Sequence, residues 1–381
     1  MGRINVSSMA SQMNNRKLKL IIVVSEDWSF WSHRLSLAMS AIEAGLDVIL
    51  ITNLNKYEGE IKEKGISVIN INFRRSSNTP LNDLYNLIKL IILFKKEKPD
   101  IVHNVALKTI LLGSIAGLFS KNSTIVNSFT GLGYVFSSNQ LRARIIQIFI
   151  KPLFKLIIKR QSYWTIFQNP DDMELFSCLR LIAPERAVLI RGSGVDLSEF
   201  TKTTDKNEIP IVMLASRMLW DKGIAEFVEA AKRAHQNNIN AKFLLVGDID
   251  TDNPMSIPIS TLNKWAKEDY IKWEGHSANM HHTLSSASIV CLPSYREGLP
   301  KILLEAAATG RPLIATNVPG CREIVKDGYN GILVELKDVD SLYKGIVTLV
   351  ANTEMRKRMG ENSRKIVENE LSTEIVNSQT L

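Results

Sequence analysis

IVMLASRMLWDKGIAEFVEAAKRA, residues 211–234, reads as one strand, one turn and one helix. Ile211 to Ala215 is an unbroken apolar run with β-branched members, and Gly223 to Ala234 reads as a helix. A strand apolar on both faces belongs in a parallel sheet covered by helices on both sides, and the helix that follows supplies one of the covers.

The same unit recurs outward from this stretch. Downstream, short apolar runs lie at Phe243 to Val246, Ile271 to Trp273, Ile289 to Leu292, Leu313 to Ala315 and Ile332 to Val334, with a helix predicted over Pro300 to Thr309. Upstream lie Leu20 to Val24, Val48 to Thr52, Val68 to Ile71, Ile101 to Val105, Thr124 to Val126, Trp164 to Phe167 and Val188 to Ile190. Between the two series, residues 197–210, LSEFTKTTDKNEIP, are polar and without period, as in a linker. The expected architecture is α/β, with two doubly wound parallel-sheet domains facing a cleft and ligands at the carboxyl ends of the strands. The expected bounds are an N-terminal extension over 1–17, a first domain over 18–196, a second over 211–370 and a tail over 371–381.

Composition supports a folded, multi-domain chain: 381 residues, 45% hydrophobic and 23% charged, exclude wholesale disorder and fibrous repeats. Cys178, Cys291 and Cys321 are few and far apart, which fits a reducing compartment better than a disulfide scaffold or a zinc site. The formal charge of +8 is unevenly spread. Residues 1–200 hold 25 Lys+Arg against 16 Asp+Glu, leaving 22 against 23 for the rest. Such one-sidedness points to phospholipid, nucleic acid or a lipid-linked diphosphate, or to nothing beyond a well-solvated face. Residues 1–17 show no secretory pattern. Residues 141–159, LRARIIQIFIKPLFKLIIK, are too interrupted by charge to span a bilayer. Wound as a helix they put Arg144, Gln147, Lys151, Lys155 and Lys159 on one narrow stripe, with Arg142 nearby. This is the pattern of a helix lying in a membrane interface, or of a core helix with a wet basic edge.

No GxGxxG follows the first strand and no GxxxxGK[ST] occurs, so a dinucleotide dehydrogenase or a P-loop nucleotidase is not expected. Arg217 and Lys222 instead lie between a strand's end and a helix, where an anion would meet two cations and free amides. A second segment, Ser294 to Glu305, follows the run SIVCLP. There Gly298 permits close backbone approach and Pro300 suits a first helical turn. Glu297 and Glu305 can accept hydrogen bonds from hydroxyls at two ends of one extended ligand. Alternatively, Glu297 only favours the helix dipole and Glu305 is a solvated face residue. Against that, Glu305 is flanked by Leu303, Leu304 and Ala306 to Ala308, where a purely structural carboxylate is costly to bury.

With these pieces assembled, the chain resembles the retaining glycosyltransferases of family four, which have the GT-B fold. The resemblance rests on SRMLWDKG, the E-x7-E pair Glu297 and Glu305, IRGSGVD and NVPGCREIVKDGYNGILV, in family order over most of residues 18–370. SFWSHRLSLAMSAIEAGLDV and SFTGLGYVF further resemble the branch that extends undecaprenyl-diphosphate-linked sugars in bacterial O-antigen, capsule and glycan assembly. The resemblance implies that Arg217 and Lys222 hold the donor diphosphate, Glu297 meets the donor sugar, Glu305 the ribose, and Gly298, Leu299 and Pro300 line the site. His103, after the strand Ile101 to Val102, is a further catalytic candidate if it faces the cleft and a structural residue if it does not, with His33, Thr130 and Gly131 on the acceptor side.

The implied reaction moves a hexose or N-acetylhexosamine from a UDP-sugar to a lipid-linked saccharide, with no cofactor and no metal. The implied partners are the UDP-sugar, the lipid-linked acceptor and an anionic membrane surface, not nucleic acid. The implied place is the cytoplasmic side of the plasma membrane. Two positions depart from the family: Ser25 to Trp28 stand where a glycine-rich turn is usual, and Thr130 where a histidine is common. A UDP-sugar epimerase of the same fold and a non-catalytic sugar-nucleotide-binding partner are the rival readings. A short or clipped C-terminal crossover is also expected.

Overall fold

The computed structural model describes residues 16–73, 80–120, 122–131, 148, 151–152, 154–156, 162–251 and 253–381. The chain divides into two compact units: the first runs to Ser193 and takes in Asn377–Leu381, and the second is Gly194–Val376.

The first unit contains β1 (Lys19–Glu26), α1 (Asp27–His33), α2 (Leu35–Glu43), β2 (Asp47–Asn53), α3 (Glu58–Glu63), β3 (Ser67–Asn70) and α4 (Pro80–Glu97). After these come β4 (Ile101–Val105), α5 (Leu107–Gly117), β5 (Thr124–Phe129), β6 (Tyr163–Phe167), α6 (Pro170–Cys178) and β7 (Ala187–Leu189). The strands form one parallel sheet in the order β3-β2-β1-β4-β5-β6-β7. Both faces are buried. Ile21 and Val23 of β1 pack with Leu90 and Phe94 of α4 and Leu112 of α5, while Leu20, Ile22 and Val24 pack with Phe30, Ala38, Ala41 and Ile61. That is why the strand reads as a continuous apolar run rather than an alternating one.

The second unit contains β8 (Ile211–Ala215), α7 (Ile224–Gln236), β9 (Lys242–Val246), α8 (Ile259–Trp265), β10 (Lys272–Trp273), α9 (Met280–Ser286) and β11 (Ile289–Leu292). It continues with α10 (Lys301–Ala308), β12 (Leu313–Thr316), α11 (Cys321–Ile324), β13 (Gly331–Val334), α12 (Val339–Ala351) and α13 (Thr353–Ile366), and α14 (Thr373–Thr380) begins in it and passes into the first unit at Asn377. Its parallel sheet has the order β10-β9-β8-β11-β12-β13. Met213 and Ala215 face the α10 side with Leu303 and Ala307, and Val212 and Leu214 face α7 with Phe227 and Ala231. The fold class expected from the sequence, two parallel-sheet α/β units, is the one found. In each sheet the order reverses beside the first strand of the unit, between β1 and β4 and between β8 and β11. Such switch points leave a crevice at the carboxyl ends of the strands.

Two details bear on the ends of these units. β5 runs through Phe129, beyond the expected Val126, because its polar residues are paired inside the sheet: Asn104 donates to Asn127 at 3.0 Å, and Ser128 meets His103 at 2.6 Å. At the C-terminus, the Asn377 amide donates to the hydroxyls of Ser36 (3.3 Å) and Ser40 (3.0 Å) on α2.

Candidate active site

The loops after β8 and β11 leave the second sheet at its switch point. Gly223, just before α7, has φ +71°, and a Cβ there would lie 2.0 Å from the Pro293 carbonyl oxygen. Only glycine lets the two loops touch so closely. Once in contact they are stitched together: the Tyr295 amide donates to the Asp221 carbonyl at 2.8 Å, and the Ser294 hydroxyl donates to the same oxygen at 3.2 Å. A third loop, after β12, closes on them at Gly320, with φ +81°, where a Cβ would lie 2.4 Å from the Gly298 carbonyl oxygen.

This convergence brings Lys222 to Glu297, with Nζ 2.6 Å from Oε1 and side chains 18% and 13% exposed. Arg217 stands at the end of β8, exposed, and pairs with Asp250 of the loop after β9. The cluster therefore holds two cations, each neutralised by a carboxylate. Two cations at the carboxyl end of a sheet, beside the amides at the start of α7, have the chemistry to receive an anionic group in place of those carboxylates. Gly298 and Pro300 are buried, Leu299 packs partly buried against the core, and α10 begins directly after Pro300.

Glu305 lies in the second turn of α10, buried, with Lys301 Nζ 3.2 Å from its Oε1. Burial pushes its carboxyl pKa up and Lys301 pulls the other way. Cys321, at the start of α11, is buried; burial first and the nearby Glu297 carboxylate second push its thiol up, so it stays protonated. The Tyr295 hydroxyl donates to Glu226 at 2.6 Å, and its ring lies 4.6 Å from the Lys337 ammonium.

The residues expected in the first unit lie around its own switch point. His103 is buried rather than open at a strand end, with its Nε2 2.6 Å from Ser128 Oγ. Burial and the Arg34 charge hold its pKa down at about 3, so the imidazole is neutral. Arg34 is 6% exposed, donates a long 3.4 Å hydrogen bond to the His33 carbonyl, and burial lowers its pKa to about 10. No carboxylate among the described residues pairs with it. His33 is half-buried at the end of α1; Thr130 is exposed directly after β5, and Gly131 beside it has φ +122°. Ala106, between β4 and α5, has φ +74°, a strained value for a residue with a Cβ. Of the basic stripe, Arg142, Arg144 and Lys159 lie outside the described residues, while Lys151 is half-buried and Lys155 exposed.

The structure thus brings Lys222 to Glu297 and the loop after β12 to Gly298, while Arg217 stands with Asp250 at the ends of β8 and β9 and Glu305 lies in the second turn of α10. Sequence reasoning missed Asp250, Cys321 and Arg34. Asp250 and Arg217 are 33 residues apart and meet only because β9 lies beside β8. Its one sequence signal is the acidic GDIDTD directly after a strand.

Residues 197–366 match the family described as glycosyl transferases group 1, and residues 19–169 the one described as glycosyl transferase 4-like. The chain is 27% identical over 330 residues, 83% of this chain and 85% of the relative, to the N,N'-diacetylbacillosaminyl-diphospho-undecaprenol alpha-1,3-N-acetylgalactosaminyltransferase of Campylobacter jejuni. It is 29% identical over 304 residues, 76% of each chain, to the UDP-Gal:alpha-D-GlcNAc-diphosphoundecaprenol alpha-1,3-galactosyltransferase of Escherichia coli. Among solved structures, a glycosyltransferase from Rickettsia africae superposes with a TM-score of 0.75 at 20% identity, over 96% of this chain and 97% of that one. Anabaena Alr3699/HepE in complex with UDP and glucose gives 0.75 at 16% identity, over 95% and 98%. These likenesses show the fold, and the two family models between them span most of the chain. The protein belongs to the glycosyl transferases, with a glycosyl transferase 4-like first unit and a group 1 second unit of the GT-B fold.

Proposed function

We propose that the protein is a retaining glycosyltransferase that moves a hexose or N-acetylhexosamine from a UDP-sugar to an undecaprenyl-diphosphate-linked saccharide in surface polysaccharide assembly. It would work at the cytoplasmic face of the membrane. The observation that carries this reading is the Lys222–Glu297 pair beside Arg217 at the β8/β11 switch point. The names of the two relatives, both of which act on undecaprenol-linked diphosphates, support the acceptor class.

In this reading the bond between the anomeric carbon and the UDP oxygen breaks, and the electron pair leaves with UDP. Lys222 and Arg217 meet the growing negative charge, already placed and needing no reorganisation. The acceptor hydroxyl oxygen bonds the same face of the anomeric carbon and yields its proton to the departing phosphate, so no protein nucleophile is assigned. Glu297 turns from Lys222 to the donor sugar hydroxyls, and Glu305 serves the ribose. On the acceptor side, Arg34, His33, Thr130 and Gly131 meet the lipid-linked diphosphate, and His103 holds Ser128 in place as a neutral hydrogen-bonding group.

The test is UDP release from a panel of UDP-hexoses and UDP-N-acetylhexosamines, with and without a polyprenyl-diphosphate-linked N-acetylhexosamine. Release with one donor, stimulated by the acceptor and persisting in EDTA, is the expected result. Donor binding without release on any acceptor would favour the binding-only reading.

A further inference from the structure

Helix α4 has two apolar faces, and only one of them is covered. Asn86, Leu90 and Phe94 are buried against the first sheet. On the opposite side, Leu81, Leu84, Tyr85, Ile88 and Ile92 follow one another at i, i+3, i+4, i+7 and i+11, a single stripe about three turns long. Every one of them stands in solvent, from 48% exposed at Ile88 to 79% at Leu81. A helix that is apolar all round is normally enclosed. Scattered exposed apolar residues need no explanation, but a continuous stripe does.

The charges around the stripe say what covers it. The two acids of the helix are already engaged: Asp83 with Lys108 at 2.8 Å and Glu97 with Lys19 at 2.9 Å. Of the basic residues, Lys96 lies 3.9 Å from the Glu97 carboxylate, and Lys89 and Lys95 have no carboxylate partner among the described residues. Lys95 and Lys96 continue the outward face beyond Ile92 and are exposed, as is Lys98 just past the helix. The Lys89 ammonium lies over the Tyr85 ring at 4.5 Å, and that of Lys95 lies 5.9 Å from the ring of Phe119, itself 53% exposed. Aliphatic side chains in a row, aromatic rings at the border and lysines around them match the layered chemistry of an anionic bilayer: acyl chains, interface and phosphate headgroups. No helix among the described residues is long and apolar enough to cross a membrane.

We infer that the outward face of α4 is a membrane-docking surface, which lies in the interface of an anionic bilayer with Leu81, Leu84, Ile88 and Ile92 in the acyl boundary and Lys89, Lys95, Lys96 and Lys98 on the headgroups. The inference deepens the proposed function, on which it rests for why the enzyme seeks a membrane at all.

The full chain is mixed with vesicles of phosphatidylcholine alone or with a third phosphatidylglycerol, and sedimented. Wild type is expected to co-sediment with the anionic vesicles, less so at high salt, and the L84S/I88S/I92S variant to lose at least about ten-fold in vesicle affinity. The substituted side chains touch solvent, so the variant keeps its fold, checked by thermal unfolding. UDP release with an acceptor on a short, water-soluble prenyl chain is measured in parallel and is expected to be unchanged. Equal vesicle binding by both proteins, or none by either, overturns the inference. So does a wild-type dimer in sedimentation equilibrium that the variant turns into a monomer without a change in vesicle binding. Loss of release with the soluble acceptor in wild type speaks against the proposed function alone, because vesicle binding is read without catalysis.

Discussion

Lys222 Nζ lies 2.6 Å from Glu297 Oε1, so the cation assigned to the donor diphosphate already has an anionic partner in the free protein. In the proposed function, nucleotide and Glu297 therefore compete for it. Glu297→Ala frees Lys222, and UDP affinity is expected to hold or rise. Transfer is expected to fall by about 10²-fold, because the group that meets the sugar is gone while the group that meets the leaving group stays. Calorimetric UDP binding and UDP release measure the two effects separately, and near wild-type transfer would remove Glu297 from its assigned role.

The contact between the β8 and β11 loops depends on Gly223, and a paired substitution isolates that dependence. Gly328 has the same φ of +71° but open space around it, whereas a Cβ on Gly223 meets the Pro293 carbonyl oxygen at 2.0 Å. Gly328→Ala is expected to cost about 1 kcal/mol of backbone strain with activity intact. Gly223→Ala carries the same strain plus the displacement of two loops, so it loses more stability and separates Lys222 from Glu297. Thermal unfolding and UDP release of the two variants side by side are the measurements. Equal behaviour of the pair would mean that the loops do not need their contact.

His103 makes the first unit sensitive to acid. Burial and the Arg34 charge hold its folded pKa at about 3, against ~6.5 in an unfolded chain. Above ~6.5 both states are neutral and the residue adds no pH dependence. Between ~6.5 and about 3 only the unfolded state takes up the proton, so stability falls as pH falls, by up to about 1.4 kcal/mol per pH unit. Urea unfolding at pH 7 and pH 5 is expected to show a smaller acid loss for His103→Gln than for wild type. An undiminished loss in the variant would assign the effect to other groups.

The sheet of each unit was legible because its strands are buried on both faces: Ile211 to Ala215 and Ile289 to Leu292 read as strands from their composition and are strands over those residues. The end of β5 was not legible. Asn127 and Ser128 look like breakers in a one-dimensional reading, and only the neighbouring β4 shows that Asn104 and His103 satisfy them. The same limit applies to the crevice. Arg217, Lys222, Glu297 and Glu305 announce themselves through position after a strand and through spacing, yet Asp250 and Cys321 join them by sheet adjacency alone. The outward stripe of α4 was hidden for a different reason: a helix with apolar residues on two faces reads as a core element, and the exposure of one face is a fact of packing, not of sequence.

Arg34 is the residue whose removal separates stability from function most cleanly. Its guanidinium is 6% exposed and, among the described residues, donates a 3.4 Å hydrogen bond to a carbonyl and meets no carboxylate that would neutralise it. A charge buried in that state destabilises the fold, and an apolar side chain of similar volume is neutral or stabilising in its place. Arg34→Met is therefore expected to keep or raise the melting temperature. If the cation is retained for the acceptor's diphosphate, the same variant raises the acceptor KM by about ten-fold and leaves the donor KM alone, since loss of one charge-assisted contact costs about 1.5–3 kcal/mol at most. A melting temperature that drops, with an unaltered acceptor KM, would make Arg34 a structural residue and leave the acceptor site to Thr130 and its neighbours.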